Sequence, residues 1–213
     1  PAAQYAGMHV ARLAPGAAPI LLFRQTIRRD LGYYTPMSGP ARGAGCRAIT
    51  GRAEDDGEAC RVTVLMRGDG AVETMLVAPN PSNINQGSWD PWRELAPFTV
   101  DVDADGTPEI VSGSDVWRNV GGTWQLLWQS EYEPIQSLAA DLDGDGKPEI
   151  VHVHVFDKTG AGEGTRAAFG GDLYRFSGLL ILDGETGAEK RRIRLPIYWT
   201  SWLTIADVDG DHA

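Results

Sequence analysis

Residues 101–110 read "DVDADGTPEI", and residues 141–150 read "DLDGDGKPEI". In each, three aspartates alternate with other residues, a glycine follows the third, and Pro-Glu-Ile closes the stretch. A further copy begins at Asp207 as "DVDGDHA" and runs to Ala213. Carboxylates two residues apart repel one another, so a pattern used three times calls for a positive charge. A hard cation such as Ca2+ takes roughly six to eight oxygens, and alternating loop residues deliver them. In the first loop the candidate ligands are Asp101, Asp103 and Asp105, the carbonyl of Thr107, and Glu109 at the ninth position, with Gly106 at the sharp turn. In the second they are Asp141, Asp143, Asp145, the Lys147 carbonyl and Glu149, with Gly146 at the turn. The third offers Asp207, Asp209 and Asp211, but His212 stands where the turn glycine would be.

The first half of this pattern also fits an EF-hand, which requires a bidentate Glu at the twelfth position and flanking helices. Position twelve is Ser112 in one loop and His152 in the other, and the flanks "PEIVSG" and "PEIVHV" are β-rich. The EF-hand reading fails on both counts. A solvated acidic turn without metal is the remaining alternative.

The net charge of -10 has the same origin, since the three loops hold eleven carboxylates and the rest of the 213-residue chain is close to neutral. There is no basic stripe for phosphate contacts, which disfavours nucleic-acid binding. No apolar run approaches the ~18 residues of a membrane helix. Pro1, in place of a Met followed by a charged and apolar leader, predicts a mature or trimmed chain. Cys46 and Cys60 flank the polar "RAITGRAEDDGEA", with a turn signal at residues 54–57. The two readings are a disulfide across a loop, which would argue for an oxidising compartment, and two buried thiols.

From Phe98 onward the chain reads as repeated β-structure. "PFTVDVD", "PEIVSG" and "DVWRNVGGTWQLLWQ", the last split by a Gly121-Gly122 turn, make four strand-sized segments in a 40-residue period. That is the signature of a propeller blade. "PIQSLAAD" and "PEIVHVHVF" open a second unit, and "GLLILDGETGAEKRRIRLPI" supplies two strands around a DGETG turn. Between them residues 157–177 form a glycine-rich insertion that also carries Phe169, Leu173, Tyr174 and Phe176. The prediction is an all-β chain, part of a β-propeller, with blades over 98–213 and a diverged β region over 1–97 that reads as two diverged blades. In that region "APILLFRQTI" and "ACRVTVLMRGDGAVETMLVAP" are strand-like, the second a hairpin, and Arg24 to Leu31 is a weak helix candidate.

The repeated DxDxDGxPEIV, followed by a glycine turn and the "LLW" strand, resembles the FG-GAP or VCBS-type repeat. The resemblance is specific over residues 98–156, good over 179–213 and weak before residue 97, where no Asp loop is visible. It implies an integrin-α-like calcium-binding β-propeller, with Ca2+ ligands at the aspartates and glutamates named above. It further implies a secreted, cell-surface or periplasmic module serving as a rigid platform for a protein or glycan partner. Because such repeats also occur in some bacterial polysaccharide lyases, part of a carbohydrate-active enzyme is the alternative. Closed propellers use roughly four to eight blades, so further polypeptide or another chain is expected to complete the ring.

No GxSxG, HExxH or P-loop occurs, and no catalytic residue is assigned. Trp89 and Trp92, in the loop "NPSNINQGSWDPW", could stack on a sugar or a partner surface. Arg166, Tyr174 and Arg175 in the insertion are the other candidate partner contacts. His152 and His154 share one strand face, either as metal ligands or as polar residues on the wetter side. Arg67 to Asp69 spells "RGD" where a turn is required in any case.

Overall fold

The computed structural model describes residues 8–14, 16–28, 59–79, 96–131, 134, 136–157, 175–195 and 204–206. The chain divides into two compact units, one of Pro1–Asn80 with Glu94–Phe98, the other of Pro81–Arg93 with Thr99–Ala213. Among the described residues every regular element is a strand, and no helix is long and apolar enough to cross a membrane. The strands form three four-stranded antiparallel sheets.

In the first unit β1 (Met8–Ala11), β2 (Ile20–Arg28), β3 (Ala59–Arg67) and β4 (Val72–Pro79) lie side by side in chain order. β3 is an inner strand buried on both faces. Val62 and Val64 pack with Phe23, Met75 and Val77, while Thr63 pairs with the buried Arg24 and Leu76. Residues 24–28, within the weak helix candidate, are strand. Pairing with β3 continues without a break to Arg28 opposite Ala59, and this ladder overrides a local helical preference. The "RGD" triplet forms the β3–β4 turn as expected from its position, with Arg67 ion-paired to Asp69 at 3.0 Å on an exposed tip.

The second unit holds two sheets built alike. β5 (Phe98–Val100), β6 (Glu109–Ser112), β7 (Asp115–Val120) and β8 (Thr123–Gln129) form one; β9 (Gln136–Ala140), β10 (Glu149–Asp157), β11 (Arg175–Leu182) and β12 (Glu189–Leu195) form the other. In each, an Asp-rich loop joins the first strand to the second. That second strand is inner, and its opening glutamate is followed by a buried apolar pair: Ile110 and Val111 in one, Ile150 and Val151 in the other.

Direct contacts tie the two sheets together. The Ser137 hydroxyl at the start of β9 donates to Gly113 O in the β6–β7 turn at 3.1 Å. The Trp128 indole of β8 donates to Gly184 O in the β11–β12 turn at 2.8 Å. That indole also lies against Gly187, where a Cβ would come within 2.7 Å of its ring and φ is +72°. Only glycine meets both conditions.

Two expectations need correction. His152 and His154 do not lie on a wetter face: both are buried, as are their neighbours Val151 and Val153. β10 is an inner strand, Trp128 stands 6.4 Å from the His152 ring, and the two imidazoles meet edge to face at 6.0 Å. The insertion also loses its ends to the sheet. β10 runs through Asp157 and β11 begins at Arg175, with Asp157 opposite Arg175 and Phe156 opposite Phe176. Arg175, Phe176 and Ser177 are therefore strand residues, because the antiparallel backbone ladder continues to Asp157 opposite Arg175.

Candidate metal centre

The two loops fold around their first aspartate. Asp101 accepts backbone N–H groups on both oxygens, from Asp105 at 3.0 Å and Gly106 at 2.8 Å. Asp141 does the same with Asp145 at 3.1 Å and Gly146 at 2.8 Å, and takes a third bond from Gly144 N at 2.9 Å. Asp103 and Asp143 each accept from the amide two residues on, at 3.3 Å. Asp105 accepts from Thr107 N at 2.7 Å and Asp145 from Lys147 N at 2.8 Å. Each such bond curls the chain back and lets short acidic side chains replace a regular ladder.

Both loops need a left-handed residue at the fourth position and another at the sixth. The sixth is glycine in each, Gly106 and Gly146, with φ of +88° and +89°. At the fourth, Gly144 adopts φ +75° without strain, whereas Ala104 is held at φ +61° against its Cβ.

The loops close through the glutamate that opens the next strand. Glu109 is 1% exposed, and its Oε2 accepts Val102 N at 3.0 Å; Glu149 is 2% exposed, and its Oε2 accepts Leu142 N at 2.7 Å. This brings together Asp101, Asp103 and Glu109 in one loop, and Asp141, Asp143 and Glu149 in the other. In each set one oxygen per residue lies within 4.8 Å of the others. Oxygens bound to a single Ca2+ at roughly 2.3 to 2.6 Å stand at most about 5 Å apart, so three hard carboxylate donors at this spacing fit that ion. Asp105 and Asp145 are exposed and are not among the converging carboxylates.

Each cluster also holds a basic side chain that sequence reasoning missed. Arg118, from the inner strand β7, donates through Nε to Glu109 Oε1 at 2.9 Å and through Nη2 to Asp103 Oδ2 at 2.6 Å. Lys190, from the edge strand β12, donates Nζ to Asp143 Oδ2 at 2.8 Å and to Glu149 Oε1, and lies 3.9 Å from Asp183 Oδ2. Lys147 reaches the same turn, pairing with Glu185 at 2.7 Å. No loop spacing points to these partners, for Lys190 lies 41 residues from Glu149.

The electrostatics of the two clusters differ. Burial pushes the Glu109 carboxyl above its ordinary value; the Val102 amide and Arg118 oppose this without cancelling it. Burial also works against the Arg118 charge, but there the bond and attraction from Glu109 and Asp103 win, so its pKa rises. The directions are consistent because Glu109 is far more deeply enclosed than Arg118. In the second cluster the bond from Lys190 lowers Asp143, and the bonds to Asp143 and Glu149 raise Lys190.

Other candidates fall outside what is described. Asp207, Asp209, Asp211, Trp89, Trp92, Arg166, Tyr174 and Cys46 lie beyond the described residues. Cys60 in β3 and Arg175 in β11 are placed by their backbone alone.

The model of the FG-GAP-like repeat matches residues 101–152. No curated protein matches the chain. Among solved structures the chain is similar to the biofilm matrix protein Bap1 of V. cholerae, at 19% identity and TM-score 0.38, covering 66% of this chain and 19% of that one. It is also similar to the rhamnogalacturonan lyase PL11 of Bacillus licheniformis, at 18% identity and TM-score 0.31, and to the rhamnogalacturonan lyase YesW, at 16% and 0.30. Each lyase match covers 90% of this chain and 41% of the other. The chain thus spans well under half the length of the structures it matches. The matched stretch begins at the first aspartate of one loop, crosses β6 to β9 and the second loop, and ends inside β10. Over residues 101–152 this chain carries an FG-GAP-like repeat.

Proposed function

We propose that the chain is a calcium-binding segment of a β-propeller in which the ions are structural. Residues 98–213 supply the FG-GAP/VCBS-like blades, and residues 1–97 a preceding β region. The observation that carries this reading is the convergence of three carboxylates in each of two loops of identical backbone design. Each cluster gathers three carboxylates against one basic side chain, an excess of negative charge that a dication would offset. With an extracellular-type dissociation constant near 10⁻⁴ M and millimolar Ca2+, each site stabilises by roughly 1.5 kcal/mol. That affinity suits a secreted, cell-surface or periplasmic location, where free Ca2+ is high. Further polypeptide or another chain completes the ring. The pinned blades then form a rigid platform for a protein or glycan partner.

Thermal unfolding in millimolar Ca2+ and in chelator tests the reading. The melting temperature is expected to rise with Ca2+; equal values would overturn the structural role. Incubation with acidic polysaccharides, following the absorbance of unsaturated products, separates a binding platform from a lyase.

A further inference from the structure

We propose that Lys190 is a displaceable internal cation, which closes the loop 141–149 in the metal-free protein and moves to Asp183 when a divalent cation binds there. The inference rests on the calcium reading above and concerns how the site is filled. The Lys190 ammonium lies on Asp143 Oδ2 and Glu149 Oε1, two carboxylates of the converging set. An ion using those oxygens and an ammonium using the same oxygens would be like charges a few ångströms apart, so metal binding requires exchange.

The exchange has a built-in destination. Asp183, in the β11–β12 turn, lies 3.9 Å from Lys190 Nζ. Its Oδ1 is engaged by the Thr186 amide at 2.8 Å and hydroxyl at 2.7 Å, while Oδ2 is the atom that faces Lys190. Lys190 also has the means to move. It stands at the start of an edge strand, 32% exposed, on a flexible four-carbon stem.

Arg118 is the fixed counterpart. Its planar guanidinium spans Asp103 and Glu109 through two different nitrogens, from an inner strand. A bidentate fork of this kind gives up less readily than a single ammonium. Of the two loops, 141–149 is therefore the one that takes Ca2+ first.

A tethered competitor lowers apparent affinity by the fraction of molecules in which it has stepped aside. Calorimetric titration with Ca2+ and melting in chelator, on the wild type and on Lys190→Met, Lys190→Arg and Asp183→Asn, read this out. Lys190→Met is expected to lower the melting temperature in chelator and to bind Ca2+ at the second loop about tenfold more tightly. Lys190→Arg should keep the chelator melting temperature and bind Ca2+ more weakly than wild type. Asp183→Asn keeps the acceptor for Thr186, so it should leave the chelator melting temperature near wild type and weaken Ca2+ binding severalfold. Unchanged or weaker Ca2+ binding in Lys190→Met would overturn the exchange while leaving the calcium reading intact. An Asp183→Asn protein that binds like wild type would overturn the destination. If neither wild type nor any variant binds Ca2+, the proposed function falls and the exchange falls with it.

Discussion

The loops 101–109 and 141–149 share a backbone, a hydrogen-bond pattern and the same four acidic positions, yet they are balanced by different means. Arg118 reaches the first from the neighbouring inner strand β7; Lys190 reaches the second from the edge strand β12. Glu109 is pushed up by burial, whereas Asp143 is pulled down by an ammonium. A repeated motif thus repeats its geometry without repeating its electrostatics. The acids belong to the loop, but the counter-charge belongs to whichever strand passes by.

The largest expected effect of this difference is on the closing glutamates. Glu109→Ala leaves the Val102 amide, in a residue fully buried, without an acceptor, and leaves Arg118 with Asp103 alone. In chelator this should cost about 3 kcal/mol in urea denaturation. Glu149→Ala should cost less, about 1 to 2 kcal/mol, because the amide it abandons belongs to the exposed Leu142 and water can reach it. Equal losses would erase the distinction between the loops.

Calcium gives the next effect. Asp143→Ala should remove the second loop's share of the Ca2+ stabilisation, about 1.5 kcal/mol, and leave that of the first. In chelator its melting temperature should fall little, since exposed ion pairs contribute little. A variant that loses all Ca2+ response would mean the loops bind as one site.

The fourth loop position sharpens the comparison further. Ala104→Gly relieves a left-handed alanine and should stabilise by about 0.5 to 1 kcal/mol, while Gly144→Ala should destabilise by about the same. Nothing lies within 4 Å of a Cβ added at Gly144, so the change reports backbone conformation alone. The double swap should be close to neutral.

The smallest effect is in pH, and its sign differs between the loops. Glu109 has its folded pKa above the ordinary 4.5, so its contribution is present below that value and is lost as pH rises through the folded pKa. Asp143 has its folded pKa below the ordinary 3.8; its contribution is present above that value and is lost as pH falls through the folded pKa. In chelator, Glu109→Gln should remove a decline on the alkaline side of pH 4.5, and Asp143→Asn a decline on the acid side of pH 3.8. Stability curves of the two variants that change in the same pH window would contradict this.

Much of the second unit was legible because two local signals coincide there. Alternating aspartates mark the loops, and Pro-Glu-Ile with apolar flanks marks the strands that leave them. The Gly121-Gly122 and DGETG turns were legible for the same local reason. What was not legible depends on partners distant in the chain. The polar-apolar alternation of "VHVHV" suggested a half-wet strand, but neighbours on both sides and the Trp128 indole enclose it. β1, only four residues long with Met8 and Val10 exposed, has too little pattern to read. Arg118 and Lys190 are ordinary surface bases in the sequence, and only pairing across strands brings them to the loops.

The Trp128 bond to Gly184 O spans 56 residues, and it makes the last strand of one sheet a clamp on the last turn of the next. During synthesis β8 emerges well before that turn, so its indole must wait, uncovered, until Gly184 and Gly187 have been made. A nascent chain halted at Ser130 should therefore be an open, sticky intermediate, and extension to Leu195 should cover part of the ring. Tryptophan fluorescence of chains arrested at the two lengths would show a blue shift only at the longer one. On this account the two sheets mature as a single step, and the pause between them is where a chaperone would find its grip.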